Sequence, residues 1–271
     1  MSALVDIEVD GRTLSIEHRW VPGPDDAPLV VFLHEGLGSV AMWKEFPDRL
    51  CAAGRLRGLV YSRPGYGRST PRPHALRYAS DFMHVQARRV LPALLDALGV
   101  APGYWLFGHS DGGSIALIHA ASFPRRLGGA IVVAPHITVE QLSIDSITAT
   151  KAAYETTDLR HKLARHHDDV ESAFWGWNDI WLDPAFRSWS IEALLADIAC
   201  PLLAIQGVDD EYGTMAQIDG IAAALPHARL VKLAACGHSP HRDQPQAVID
   251  ATVVFIAAHA GQCLPEETRA G

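Results

Sequence analysis

Five short runs, each apolar almost without interruption, limit what this chain can fold into. They are residues 28–34 (PLVVFLH), 58–62 (GLVYS), 103–108 (GYWLFG), 129–134 (GAIVVA) and 201–207 (PLLAIQG). A strand with one wet face alternates apolar and polar residues. A run without alternation suits a parallel strand covered on both faces. Segments with helical patterning separate the runs, at 40–53, 79–99, 112–122 and 214–224. A further strand pattern at 228–234 and a closing helix at 245–260 follow. Strand alternating with helix implies a mostly parallel sheet flanked by helices through right-handed crossovers. Residues 4–22 alternate instead, with Asp10-Gly11 between two runs, which predicts an antiparallel hairpin.

The alternation lapses once. Residues 136–198 hold no convincing apolar strand but contain Trp175, Trp177, Trp181 and Trp189. The stretch is too long for a bare loop, so a helical insertion over the sheet is expected. The resulting division is a core of residues 1–135 and 199–262, a lid of 136–198 and a loose tail of 263–271.

Composition narrows the partners. A net charge of −8 disfavours nucleic acid and anionic membrane surfaces. No run is long enough to span a bilayer, and the opening residues lack a signal pattern. Cys51, Cys200, Cys236 and Cys263 form no CxxC pair and read as reduced thiols of a cytoplasmic protein. A small-molecule substrate is expected, with homodimer formation left open.

The strongest chemical signal is Gly108-His109-Ser110-Asp111-Gly112-Gly113. It lies between a strand pattern and a small-residue helix pattern, the setting of the G-x-S-x-G nucleophile elbow. A serine hydroxyl needs a base at neutral pH. His238 follows the 228–234 strand and can reach back over the elbow. The acid that orients the base should follow the preceding strand, where Asp209, Asp210 and Glu211 compete. Asp210 is preferred, with Asp209 behind it. An oxyanion hole requires two backbone donors. One is the amide of Asp111. The other lies in the loop after residues 28–34, with Gly36 preferred and Leu37 the alternative.

Taken in order, LHEGLGS, YSRPGYGRS, GHSDGG, QGVDDEYG and CGHSPH resemble the motifs of the α/β-hydrolase superfamily. They are most similar to its lid-bearing serine hydrolases: carboxylesterases, proline iminopeptidases, C–C bond hydrolases and small thioesterases. The resemblance covers residues 4–260. It implies an α/β-hydrolase fold, Ser110 as nucleophile, His238 as base, Asp210 as acid, and Gly36 and Asp111 as amide donors, with no cofactor and no metal. A serine at the elbow speaks against dehalogenase and epoxide hydrolase chemistry, which needs a carboxylate there.

Two positions depart from the pattern. His34 is followed by Glu35 where the family writes glycine, and Ser62 replaces the usual aspartate before Arg63. Glu35 is expected to pair with Arg63, or else to face the pocket, where together with Asp111 it could recognise an amine. Glu35, Leu37, Trp175 and Trp181 are the candidates for substrate binding. His161, His166, His167, Asp168 and Asp169 are expected on a solvated lid surface, because adjacent positions on a helix do not form a metal face. Carboxylic ester hydrolysis is the preferred activity, with thioester, amide and C–C substrates open. A receptor with a vestigial triad, or a cofactor-free oxidative or lyase reaction, are the readings of another kind.

Overall fold

A computed structural model describes residues 2–259. The expected tail at 263–271 and Cys263 lie outside the described residues. Eight strands form one sheet: β1 (Ala3–Val9), β2 (Arg12–Val21), β3 (Leu29–Leu33), β4 (Arg57–Tyr61), β5 (Tyr104–His109), β6 (Leu127–Val133), β7 (Leu202–Gly207) and β8 (Arg229–Leu233). Their order is β1-β2-β4-β3-β5-β6-β7-β8. β1–β2 and β2–β4 are antiparallel, and every later pair is parallel. Asp10 and Gly11 both take positive φ, 53° and 73°, as a two-residue hairpin turn with the strands' own twist requires.

The apolar runs are buried on both faces, and alternate residues serve opposite cores. Val31, Leu33, Leu106 and Val132 pack toward the helix Asp111–Ser122 and the 136–198 insertion. Val30, Phe32, Phe107 and Val133 pack toward Trp43, Phe46, Leu50 and the helix Pro245–His259. This double cover seats β3, β5, β6 and β7 rigidly, so the loops at their carboxyl ends become the precise part of the molecule.

Two helical expectations are modified. The 40–53 segment breaks into a 3₁₀ turn, Val40–Trp43, and an α-helix, Phe46–Gly54, with Lys44 at φ 50° between them. Pro47 falls in the first turn of the new helix, where its missing amide costs nothing, and it could not have bonded back to Trp43 in a continuous one. The 79–99 segment is helical over Phe82–Val85 and Leu91–Ala97, joined by a π turn, Gln86–Val90. Pro92 can donate no hydrogen bond into that turn, and His119 Nδ1–H donates to the Ala87 carbonyl instead (2.7 Å).

The insertion between β6 and β7 is helical, with Gln141–Thr156, Leu159–Leu163, Val170–Trp181 and Glu192–Leu195. Its two ends are stitched together at the base: Thr138 bridges Ser190, and Ile191 N–H donates to the Ile137 carbonyl (2.8 Å).

Candidate active site

Ser110, Asp210 and His238 follow β5, β7 and β8, and their side chains converge. Ser110 Oγ–H donates to His238 Nε2 (2.9 Å), and His238 Nδ1–H donates to Asp210 Oδ1 (2.8 Å). Ser110 has φ 53° and ψ −120°, a strained backbone for a residue with a side chain. The turn holds because Ser110 N–H donates to Val133 O on β6 (2.9 Å). It also needs Gly112, where a Cβ would lie 2.0 Å from the Leu33 carbonyl oxygen.

The three competing acids separate clearly in space. Asp210 is buried, and its Oδ1 also accepts the amides of Tyr212 (2.8 Å) and Gly213 (3.2 Å). Burial alone would raise its pKa, but the His238 and Tyr212 hydrogen bonds keep it below the ordinary carboxylate value. Asp209 is exposed. Glu211 Oε2 accepts the His238 amide (3.0 Å) and so anchors the histidine loop.

The loop after β3 is fixed through one carbonyl. Glu35 O accepts from His34 Nδ1 (2.7 Å), Arg63 Nη2 (2.8 Å) and Gly38 N (3.1 Å). The peptide is trans, so the Gly36 N–H points to the opposite side of its plane. Both Gly36 and Asp111 line the cavity that contains Ser110 and His238. A Cβ on Gly36 would fall 2.1 Å from Trp177 Nε1. Gly36→Ala must therefore displace the indole, with an expected stability loss of about 1–3 kcal/mol. Thermal melting and a changed near-ultraviolet circular dichroism spectrum check this.

Glu35 does not pair with Arg63 through its carboxylate. Its Oε1 accepts from Arg242 Nη2 (3.0 Å), and its Oε2 lies 3.6 Å from His109 Nδ1. Burial opposes ionisation of Glu35, yet His109, Arg242 and His241 hold its pKa well below the ordinary value. Arg63 is instead buried against Asp111 (3.6 Å), whose Oδ1 accepts from Trp181 Nε1 (3.1 Å). Burial raises the Asp111 pKa, and Arg63 opposes the rise. The Asp111 carboxylate is thus engaged within the protein, which removes it from the expected amine pair. Ser62 also has a stand-in partner, since its Oγ–H donates to the buried Glu17 Oε2 (2.7 Å).

The insertion covers the site. Trp181 and Leu37 line a cavity of about 280 Å³, joined by Trp177, Ile147 and Leu163. Trp175 does not line it: its Nε1 donates to Glu171 (2.7 Å) and its ring meets Tyr154 and Phe174 edge-on. His167 departs from the expected solvated surface. It is buried, accepts the Gly67 amide at Nδ1 (2.9 Å) and donates from Nε2 to the Leu37 carbonyl (3.0 Å). The covering segment is thereby fastened to the β3 loop. His136, which the motifs did not flag, also lines the cavity. Its ring lies 5.8 Å from that of His238, and burial, with His238 nearby, pushes its pKa down to about 3. Among the described residues no group of three or more His, Cys, Asp or Glu side chains could hold a metal ion.

Residues 30–251 match the model of the alpha/beta hydrolase family. The chain belongs to that family. It is 31% identical over 242 residues to a Pseudomonas savastanoi pv. phaseolicola protein named as a carbamate hydrolase, RutD, across 81% of this chain and 90% of that one. It is 24% identical to a Salmonella paratyphi A protein named 2-succinyl-6-hydroxy-2,4-cyclohexadiene-1-carboxylate synthase, across 90% and 99% of the two chains. Among solved structures, a carboxylesterase of Nitrososphaera gargenis superposes with a TM-score of 0.75 at 18% identity, covering 95% of this chain and all of that one. Proline iminopeptidase of Mycobacterium smegmatis gives 0.73 at 16%, covering 95% and 98%. At these identities the two structures speak to the fold. As a member of the family the chain is an α/β-fold hydrolase. No helix among the described residues is long and apolar enough to cross a membrane.

Proposed function

We propose that this hydrolase cleaves small to medium carboxylic esters through an acyl-enzyme on Ser110. The observation that carries this reading is the unbroken relay from Ser110 Oγ through His238 to Asp210, at 2.9 and 2.8 Å. In the first step His238 Nε2 takes the Ser110 proton as Oγ attacks the carbonyl carbon. Asp210 keeps the proton of His238 on Nδ1, so that Nε2 is the free base, and it stabilises the imidazolium that forms. The carbonyl oxygen becomes an oxyanion and is received by the Gly36 and Asp111 amides. The Asp111 amide opens the helix Asp111–Ser122, where the helix dipole favours negative charge. His238 then returns its proton to the leaving alcohol. Water, activated by the same imidazole, releases the acid and restores Ser110.

The cavity volume, about 280 Å³, supports a compact acyl group. The relative named as a carbamate hydrolase favours a second reading, in which the attacked carbonyl is carbamoyl; the proton transfers are the same. A panel of short-chain aryl esters, aryl carbamates and thioesters, run with a fluorophosphonate label, tests both. Ester turnover with labelling that requires Ser110 is the expected result. Turnover of carbamates above matched esters would shift the substrate to the second reading. A folded protein with neither label nor turnover would overturn the proposal.

A further inference from the structure

Arg242 stands at the wall of the catalytic cavity, four residues beyond His238 and 41% exposed. Its Nη2 bonds to Glu35 Oε1 (3.0 Å) and to the Met42 carbonyl (3.4 Å), which holds the guanidinium across the cleft. A second cavity of about 210 Å³ begins on the other side of it. Arg242 and Met42 line both spaces, and the second adds Lys44, Glu45 and Arg49. The covering segment brings His166 within reach of the charges of Lys44 and Arg242. Burial first, and then the charges of Lys44, Arg165 and Arg242, lower the His166 pKa below the ordinary imidazole value.

The charge at this mouth is mixed, in a molecule that is net −8: Arg242, Lys44 and Arg49 face Glu35, Glu45, Glu211 and Asp111. Among the described residues Lys44 has no carboxylate within 4.0 Å, and Arg49 reaches Glu45 only at 3.9 Å. Two of these carboxylates are engaged within the protein. Glu35 is bonded to Arg242, and Glu211 on the opposite wall receives the His238 amide. Glu35, which would otherwise repel an anion beside the oxyanion donors, is neutralised and in turn aims Arg242.

We propose that this mouth is an anion site, and that the substrate carries a carboxylate or phosphate beyond the bond that is cut, received by Arg242 and drawn in by Lys44. A planar guanidinium with free N–H groups suits either anion. Lys44, unpaired, supplies long-range attraction that salt screens. The inference rests on the ester-hydrolase reading for turnover but not for binding, and the two can fail separately.

The test compares methyl hydrogen succinate with dimethyl succinate as substrates, and titrates succinate and inorganic phosphate into the protein by calorimetry. Wild type should favour the half ester in kcat/KM. Arg242→Gln should lower kcat/KM for the half ester about ten- to a hundredfold more than for the dimethyl ester. It should also abolish anion binding, and the tighter of the two anions in wild type identifies the group. Lys44→Gln, remote from the chemistry, should reduce both the half-ester preference and its salt dependence. Equal turnover of the two esters, an Arg242→Gln loss that is the same for both, or no binding of either anion at millimolar concentration would each overturn the anion site. Anion binding without any ester turnover would instead overturn the ester reading and leave the site standing.

Discussion

Ser110→Ala reduces kcat for short-chain esters by about four to six orders of magnitude, while KM changes little. The expectation is this large because the relay is a unit. His238 and Asp210 have no proton to move once the hydroxyl is gone, so removing Ser110 costs nearly as much as removing all three. A residual acceleration of about 10³–10⁴ over water should survive, since the amide donors and the cavity remain in place. Alanine also tolerates the turn poorly, because the 53° φ of residue 110 is strained for any residue with a Cβ. A melting temperature close to wild type is therefore needed beside the kinetics. A variant that folds and still turns over esters at even a hundredth of the wild-type rate would remove Ser110 from the chemistry.

What the sequence disclosed and what it withheld follow from the range of the interactions. The strands were legible because double burial imposes continuous apolar runs, and Val30 and Val31 can serve opposite cores without any knowledge of their partners. The Ser110 turn was legible because its demands are local. Interactions that join distant segments were not. Glu35 meets Arg242 across 207 positions, and Asp111 meets Trp181 across 70. Nothing in the spacing chooses Arg242 over Arg63 as the partner of Glu35. The hairpin's alternation also misleads at β2. Ile16, Glu17 and His18 are all buried, because the 62–70 turn folds over that strand and needs Glu17 for Ser62 and the Arg68 amide. Helical phase likewise cannot decide which tryptophan faces the cavity. Trp175 and Trp177 lie two positions apart, and only the packing of Tyr154 and Phe174 turns the first away.

Arg63→Ala should destabilise the protein by about 3–5 kcal/mol, because it strands the carboxylate of Asp111 in a site with no exposure. For a chain of this length that is a fall in melting temperature on the order of 10 °C. The loss has a defined pH dependence. Burial already raises the pKa of Asp111 and Arg63 opposes the rise, so removing Arg63 raises it further. A raised carboxyl pKa gives stability that is complete below the unfolded value, near 4, and is lost as pH climbs through the folded value. The gap between variant and wild type should therefore be narrow near pH 4 and widen toward neutrality. Arg63→Ala/Asp111→Asn removes the charge that was stranded and should recover a substantial part of the loss, a coupling that a double-mutant cycle measures. Activity should not recover with it. Arg63 also holds the Glu35 carbonyl (2.8 Å), and without that bond the Gly36 amide is free to rotate away from the cavity. Stability restored by Asp111→Asn with ester turnover still depressed would separate the two duties of Arg63. Full recovery of both would show that the guanidinium serves the fold alone.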